Sequence, residues 1–322
     1  MLGITVKQHN REAEENQKSL HRLDMKWMVS ITMKELKSEH YVPRFYLGNF
    51  AIRNEGKSLY CFDKTTSKEF ISKIENIARE KCFYDITLSD KTIEKALARL
   101  ESGFGAVYNK LITAQDLNRL NLKERVFMAI FVAAQELRTK EWRETLKELC
   151  NQLKERLSKH KLSEKLEKEM QEIFKEDYCR EFQLRMLKEV PQFAETMLGM
   201  KWILVVNGTN MSFWTSDHPV NRYNPIDKSP LGNLGLLCDG IQMFFPLTPR
   251  LALCICDPFQ YFPYPEKITT RNVDNVIFQN HLQMQWATRL IFSQDSDFSL
   301  ARQILKEQPS LTDVNKKRIS II

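Results

Sequence analysis

Apolar residues change their spacing several times along this chain, and the changes divide it into elements. From Thr92 onward Ile93, Leu97, Leu100, Phe104, Val107 and Leu111 recur at alternating steps of four and three, which predicts an amphipathic helix. Gly103 and Gly105 interrupt that stripe and predict either a break or the close approach of another backbone. A second helical stripe runs over about 122–159 through Phe127, Ile130, Phe131, Ala134, Leu137, Trp142, Leu146 and Leu149. Its start, Val126 to Ala134, is wholly apolar and so buried, yet far too short to span a bilayer. The segment 140–177 alternates Lys and Glu around leucines and predicts a charged helical arm, turning near His160. A further helix over 177–198 is kinked or ended by Pro191.

Elsewhere the period is two. Ser58 to Asp63 and Lys68 to Ser72 flank Thr65-Thr66-Ser67 and predict a small β-hairpin. Trp202 to Val206 reads as a strand, with Asn207-Gly208 as a hairpin turn and Ser212 to Thr215 as its partner. Met243 to Pro249 leads into the strand 251–256, and 288–293 reads as a closing strand after a helix over 272–287. Between them, residues 221–239 are rich in Pro, Gly and Asn and predict a loop that acts as a lid. The fold class is therefore α+β: predominantly helical, with a small N-terminal β-hairpin, a C-terminal antiparallel sheet and the charged arm. One domain over 38–307 is expected, between a loosely ordered leader (1–37) and a loose basic tail (308–322). Met28 and Met33 lie close before that domain, so a natural start at Met1, Met28 or Met33 is compatible with the sequence.

Composition narrows the function classes. The 322 residues are 43% hydrophobic and 28% charged, ordinary for a soluble globular chain. No apolar stretch resembles a signal peptide, so a cytoplasmic protein without membrane contact is expected. Seven cysteines lack any C-x-x-C spacing and read as reduced, packed thiols rather than a metal or disulfide framework. A net charge of +7 permits an acidic partner such as nucleic acid, but the charges are mixed by sign and do not demand one. Ala51 to Ser58 fits a relaxed phosphate-loop pattern, yet an aromatic strand follows it where a helix is required.

The densest stretch is His40 to Phe50. Pro43 suits a first helical turn, and Phe45, Tyr46, Leu47 and Phe50 would plug a core, whereas no packing rule calls for His40. Other polar residues sit where apolar density falls: Glu101, Gln135, Arg138, and Asp217-His218 at a strand end. Pro219 holds His218 extended, so Asp217 and His218 point in different directions. A buried Arg138 needs either a carboxylate such as Glu101 or an anionic substrate.

The landmarks H-x-V-P-x-x-Y-L-x-x-F from His40, Phe83-Tyr84, Glu101, Gln135-x-x-Arg138-Thr139, Thr215-Ser216-Asp217-x-Pro219, Phe245-Pro246-Leu247-Thr248-Pro249 and Asn280 occur in this order. Together they resemble a large, mostly bacterial family of uncharacterised domains, over roughly 39–298. The resemblance implies an α+β fold, no particular activity, and a variable residue at position 218.

Two functions follow as expectations. In the first the protein is a hydrolase of phosphodiesters in nucleic acid or nucleotides. His40 is then its general acid or base, Glu101 and Asp217 hold magnesium or manganese, and Arg138 stabilises developing charge. Arg44, Tyr46, Gln135, His218 and Asn280 would bind substrate. In the second it is a non-catalytic regulatory module that engages a protein or nucleic acid through the charged arm.

Overall fold

The structure, a computed structural model, describes residues 39–53, 55–80, 83–84, 92–159, 178–226 and 232–318. The expected leader, the arm from His160 to Asp177 and the centre of the 221–239 loop lie outside these residues.

The architecture is α+β. In chain order the elements are β1 (Glu39–His40), α1 (Arg44–Leu47), β2 (Ser58–Asp63), β3 (Lys68–Lys73), β4 (Arg79–Glu80), α2 (Thr92–Ala114), α3 (Leu122–Leu137), α4 (Lys140–Leu157), α5 (Tyr178–Lys188) and α6 (Val190–Leu198). Then come β5 (Lys201–Asn207), β6 (Thr215–Ser216), β7 (Asn221–Tyr223), β8 (Gln242–Thr248), β9 (Leu251–Cys256), β10 (Lys267–Thr270), α7 (Val273–Trp286), β11 (Leu290–Ser293) and α8 (Ser299–Glu307).

A five-stranded sheet, ordered β10-β5-β9-β8-β7, is the centre of the molecule. Its three middle strands, β5, β9 and β8, read as nearly continuous apolar runs because both faces are covered. Alternate residues go to opposite sides: Leu204, Met243, Phe245, Leu253 and Ile255 join the main core with α2, α3 and α6. Ile203, Phe244, Cys254 and Cys256 face Val276 of α7. A four-stranded sheet, β3-β2-β11-β6, unites the N-terminal hairpin with the closing strand. Its core holds Phe62, Trp214, Ile291 and Phe298.

Helix α1 is the aromatic plug. Tyr46 stacks on Phe245 at 5.0 Å, and Phe45 packs on Phe104, Tyr108 and Phe131. Helix α3 starts on a capping box between Asn121 and Glu124. It ends at Arg138, and Thr139 then caps α4. At the other end of the described chain, Leu311 is buried in the core under α8.

Several local expectations are corrected. Helix α2 runs unbroken through Gly103 and Gly105, and a Cβ at Gly103 would only touch the Phe127 ring at an ordinary 3.6 Å. Asn207-Gly208 does not make a hairpin: β5 pairs with β9 and β10, while β6 pairs with β11 in the other sheet. The Asn207 side chain instead binds Thr209 N at 3.0 Å and Met211 O at 2.7 Å, so the chain turns away before it can pair back. The lid expected from residue 221 begins as strand β7 on β8. Its described flanks are fastened by Asn224, which donates to Asn233 O at 2.8 Å and Asp239 O at 2.9 Å. Gly240 (φ +80°) completes that brace, because a Cβ there would sit 2.8 Å from Asn224 Oδ1. Helix α4 does not project from its start, since Glu141, Arg143 and Leu146 are buried. The tail expected to be loose is docked as far as Arg318, whose side chain is almost fully buried. As the sequence predicts, Lys57-Ser58 lead into β2 rather than a helix, so no phosphate loop forms there.

Candidate functional site

The turn Arg138-Thr139-Lys140-Glu141 joins α3 to α4 and separates two polar groups. On one side Arg138, buried, donates to Glu101 Oε1 at 2.6 Å, to Tyr84 Oη at 3.1 Å and to the His40 carbonyl at 2.7 Å. Burial alone would lower its pKa, but Tyr84 and Glu101 outweigh that and hold the guanidinium firmly charged. Glu39 accepts from Tyr84 N at 2.8 Å. His40 sits beside this group with its Nε2 buried and without a hydrogen-bond partner. Burial, then the nearby Arg44 charge, hold its imidazole below the ordinary value. Gln135 Nε2 donates to Tyr41 O at 3.0 Å, fixing the chain just after His40.

On the other side lies a cavity of about 540 Å³. Its walls are the turn and the first residues of α4, the end of α7, strand β7 and the docked tail. Thr139 Oγ1 is 2.6 Å from His218 Nδ1, and the imidazole stacks against Trp286 at 5.7 Å. His218 is only 2% exposed. Burial lowers its pKa to about 4, the carboxylates of Glu141 and Glu136 opposing only in part, so the ring is neutral at pH 7.

Two buried ion pairs flank it. Glu136 receives Arg222 at 2.5 and 2.9 Å. Glu141 receives Arg318 at 2.9 and 3.1 Å, the Thr288 hydroxyl at 2.9 Å, and Lys316 at 3.4 Å. Burial would raise the Glu141 carboxyl, but Lys316 and Arg318 hold it below its usual range. In all, four cationic side chains (Arg222, Lys316, Lys317, Arg318) line the cavity against two carboxylates (Glu136, Glu141), leaving it cationic. Trp142 also lines it, with its indole N–H buried and unpartnered.

The sequence-predicted residues are thus divided. His40, Glu101 and Arg138 come together with Gln135 close by, and Arg44 is exposed next to them. Asp217 belongs elsewhere: its two oxygens accept from the backbone N–H groups of Thr288 and Arg289 at 2.8 Å and Leu290 at 2.9 Å. It ties β6 to β11. His218, the next residue, turns the opposite way into the cavity. Tyr46 is fully buried and hydrogen-bonds Thr215 Oγ1 and Pro246 O, both at 2.7 Å. Asn280 accepts from Trp214 N and donates to Ser212 O, both at 2.9 Å. These two are braces between elements.

Glu101 spends one oxygen on Arg138, and Asp217 spends both of its oxygens on backbone N–H groups. Among the described residues no three His, Cys, Asp or Glu side chains are grouped as a metal ion would need. Sequence reasoning missed Glu136, Glu141, Arg222, Lys316 and Arg318. Their one legible signal was the position of Glu136 and Glu141 around Arg138-Thr139.

Fold and site together define an α+β protein with a cationic cavity at the edge of its larger sheet. The chain belongs to the family described as "Protein of unknown function (DUF4238)", which it matches over residues 39–297. No curated protein and no solved structure matches it. The tail residues that close the cavity, Lys316 and Arg318, lie beyond the matched stretch. Among the described residues no helix is long and apolar enough to cross a membrane.

Proposed function

We propose that the protein is a hydrolase of phosphodiesters, working on a nucleotide or a nucleic-acid end in the cavity around His218. One observation carries this reading: a neutral imidazole, pinned at Nδ1 by Thr139, stands in a cavity with an excess of cationic side chains. An anion entering there is attracted by Arg222, Lys317 and Arg318. Its charge in turn raises the pKa of His218 from about 4 toward neutrality. The imidazole then takes a proton from water as that water adds to phosphorus, and returns it to the departing oxygen. Arg138 acts through the turn rather than on substrate: its three bonds fix the residue before Thr139. The cavity volume of about 540 Å³ suits a nucleotide.

The test incubates the full chain with nucleotides, short RNA and short DNA, with magnesium, with manganese and with a chelator. Turnover lost in His218→Asn and retained in Asp217→Asn supports the reading. Equal turnover in His218→Asn sinks it.

A second reading is favoured by the ion pairs themselves. Arg222 and Arg318 each already hold a carboxylate, as in a site that binds an anion without changing it. In that case phosphorylated ligands bind in the same cavity, Arg222→Gln weakens them, and no product forms.

A further inference from the structure

The smaller sheet ends on β3, which has β2 on one side and no strand on the other among the described residues. Its residues, Lys68-Glu69-Phe70-Ile71-Ser72-Lys73, are exposed apart from half-buried Ser72, and Ile71 is 59% exposed. A bare edge with an apolar middle is a template for another strand. Which backbone groups face outward follows from the ladder. β3 runs antiparallel to β2, with Lys73 opposite Ser58 and Lys68 opposite Asp63. Just past its end, Ile74 N donates to Lys57 O at 2.9 Å. Hydrogen-bonded pairs alternate along an antiparallel ladder. Ser72 and Phe70 therefore bond to β2, and the N–H and C=O groups of Glu69, Ile71 and Lys73 point away from it. The same three residues put their side chains on one face, in the order acid, apolar, base.

We propose that β3 pairs antiparallel with β3 of a second copy of this chain, about a two-fold axis through Ile71. In that register Ile71 meets its own copy, and Glu69 of each copy faces Lys73 of the other. All three outward-facing residues of each strand fall in hydrogen-bonded pairs, which closes the edge of both sheets. An axis through Phe70 would keep backbone bonds but set Glu69 against Ile71 and Lys73 against the turn residue Ser67, so charge selects Ile71. Arg302 of α8 holds Glu69 Oε1, and the lysine takes the other oxygen. Lys73 stands 4.0 Å from Glu75, an exposed pair worth little. β3 lies at the opposite end of the sheet from β6, which leads to His218, so the proposal does not rest on phosphodiester cleavage.

Sedimentation velocity of the full chain, over concentrations reaching the high-micromolar range, measures the association. A six-residue edge is a small interface, so a weak dimer is expected. Glu69→Lys sets lysine against lysine on both sides of the axis and should weaken the dimer about tenfold. The double variant Glu69→Lys/Lys73→Glu should restore it, because the swap preserves the pairing in this register alone. Ile71→Pro removes an outward N–H without touching the β2 ladder, and should leave a folded monomer. Circular dichroism checks that each variant is folded. A wild type that is monomeric at every concentration overturns the proposal and leaves the edge to a strand of another protein. So does a dimer that Glu69→Lys or Ile71→Pro leaves unweakened, or that the charge swap fails to restore.

Discussion

His218 is a residue whose neutrality the fold enforces. Its pKa of about 4 lies below the ordinary 6.5, so between these values the unfolded chain takes up a proton that the folded chain refuses. Stability is therefore unaffected by this group above about pH 6.5 and falls as pH drops toward 4. The loss amounts to about 3 kcal/mol at 1.36 kcal/mol per pKa unit. Urea melts from pH 7 to pH 4 should show this slope in the wild type and a shallower one in His218→Asn. Asp217, one residue earlier, faces away from the cavity and spends both oxygens on backbone N–H groups. Asp217→Asn sets an amide N–H against backbone donors and should cost about 1–3 kcal/mol, with ligand binding in the cavity unchanged.

At the scale of elements, Arg138 ties the turn between α3 and α4 to Glu101, Tyr84 and β1. Arg138→Met removes donors from Glu101, Tyr84 and the β1 carbonyl and leaves a half-buried carboxylate unpaired. It should destabilise by about 3 kcal/mol, whereas Glu101→Gln, which keeps an acceptor, should cost about 1 kcal/mol in the same denaturant titration. Periodicity made α2 and α4 legible through an apolar stripe at helical spacing, whereas α3 is buried nearly all round in its second half and α7 buries Asn280 and Gln283 beside Val276 and Met284. The pairing of β5 was not legible: Asn207-Gly208 has hairpin chemistry, but β9, more than forty residues on, offers a longer apolar partner. The plugging role of α1 was readable from its aromatics alone. Tyr46 and Asn280 are expected from sequence to bind substrate, since a polar tip in an apolar run looks functional. Tyr46 spends its hydroxyl on Thr215 Oγ1 and the Pro246 carbonyl, and Asn280 its amide on backbone groups, which only three-dimensional pairing shows.

At the scale of the whole molecule, the two polar groups and the cavity are arranged around the larger sheet, and the tail closes the cavity. The sequence offered no sign of this closure. A Lys-rich end resembles a solvated tail, and Glu141 looked like one charge among many on an arm. Yet Arg318 and Lys316 neutralise Glu141, and Leu311 docks beneath α8. Removing residues 309–322 should lower the melting temperature, because it takes Arg318 and Lys316 from Glu141 and Leu311 from the core under α8. Glu141→Gln should then cost about 1–3 kcal/mol in the complete chain and much less in the shortened one, a coupling that a double-mutant cycle reads directly.

The central claim is that the cavity around His218 receives a phosphoryl anion beside a neutral imidazole. An NMR titration of the histidine ring signals, with His218→Asn to assign the resonance, tests it without requiring turnover. The account predicts a His218 pKa near 4 in the free protein that rises when a dinucleotide is added at saturating concentration. A ring that titrates near its ordinary value, or one whose pKa the dinucleotide leaves unmoved, would contradict it.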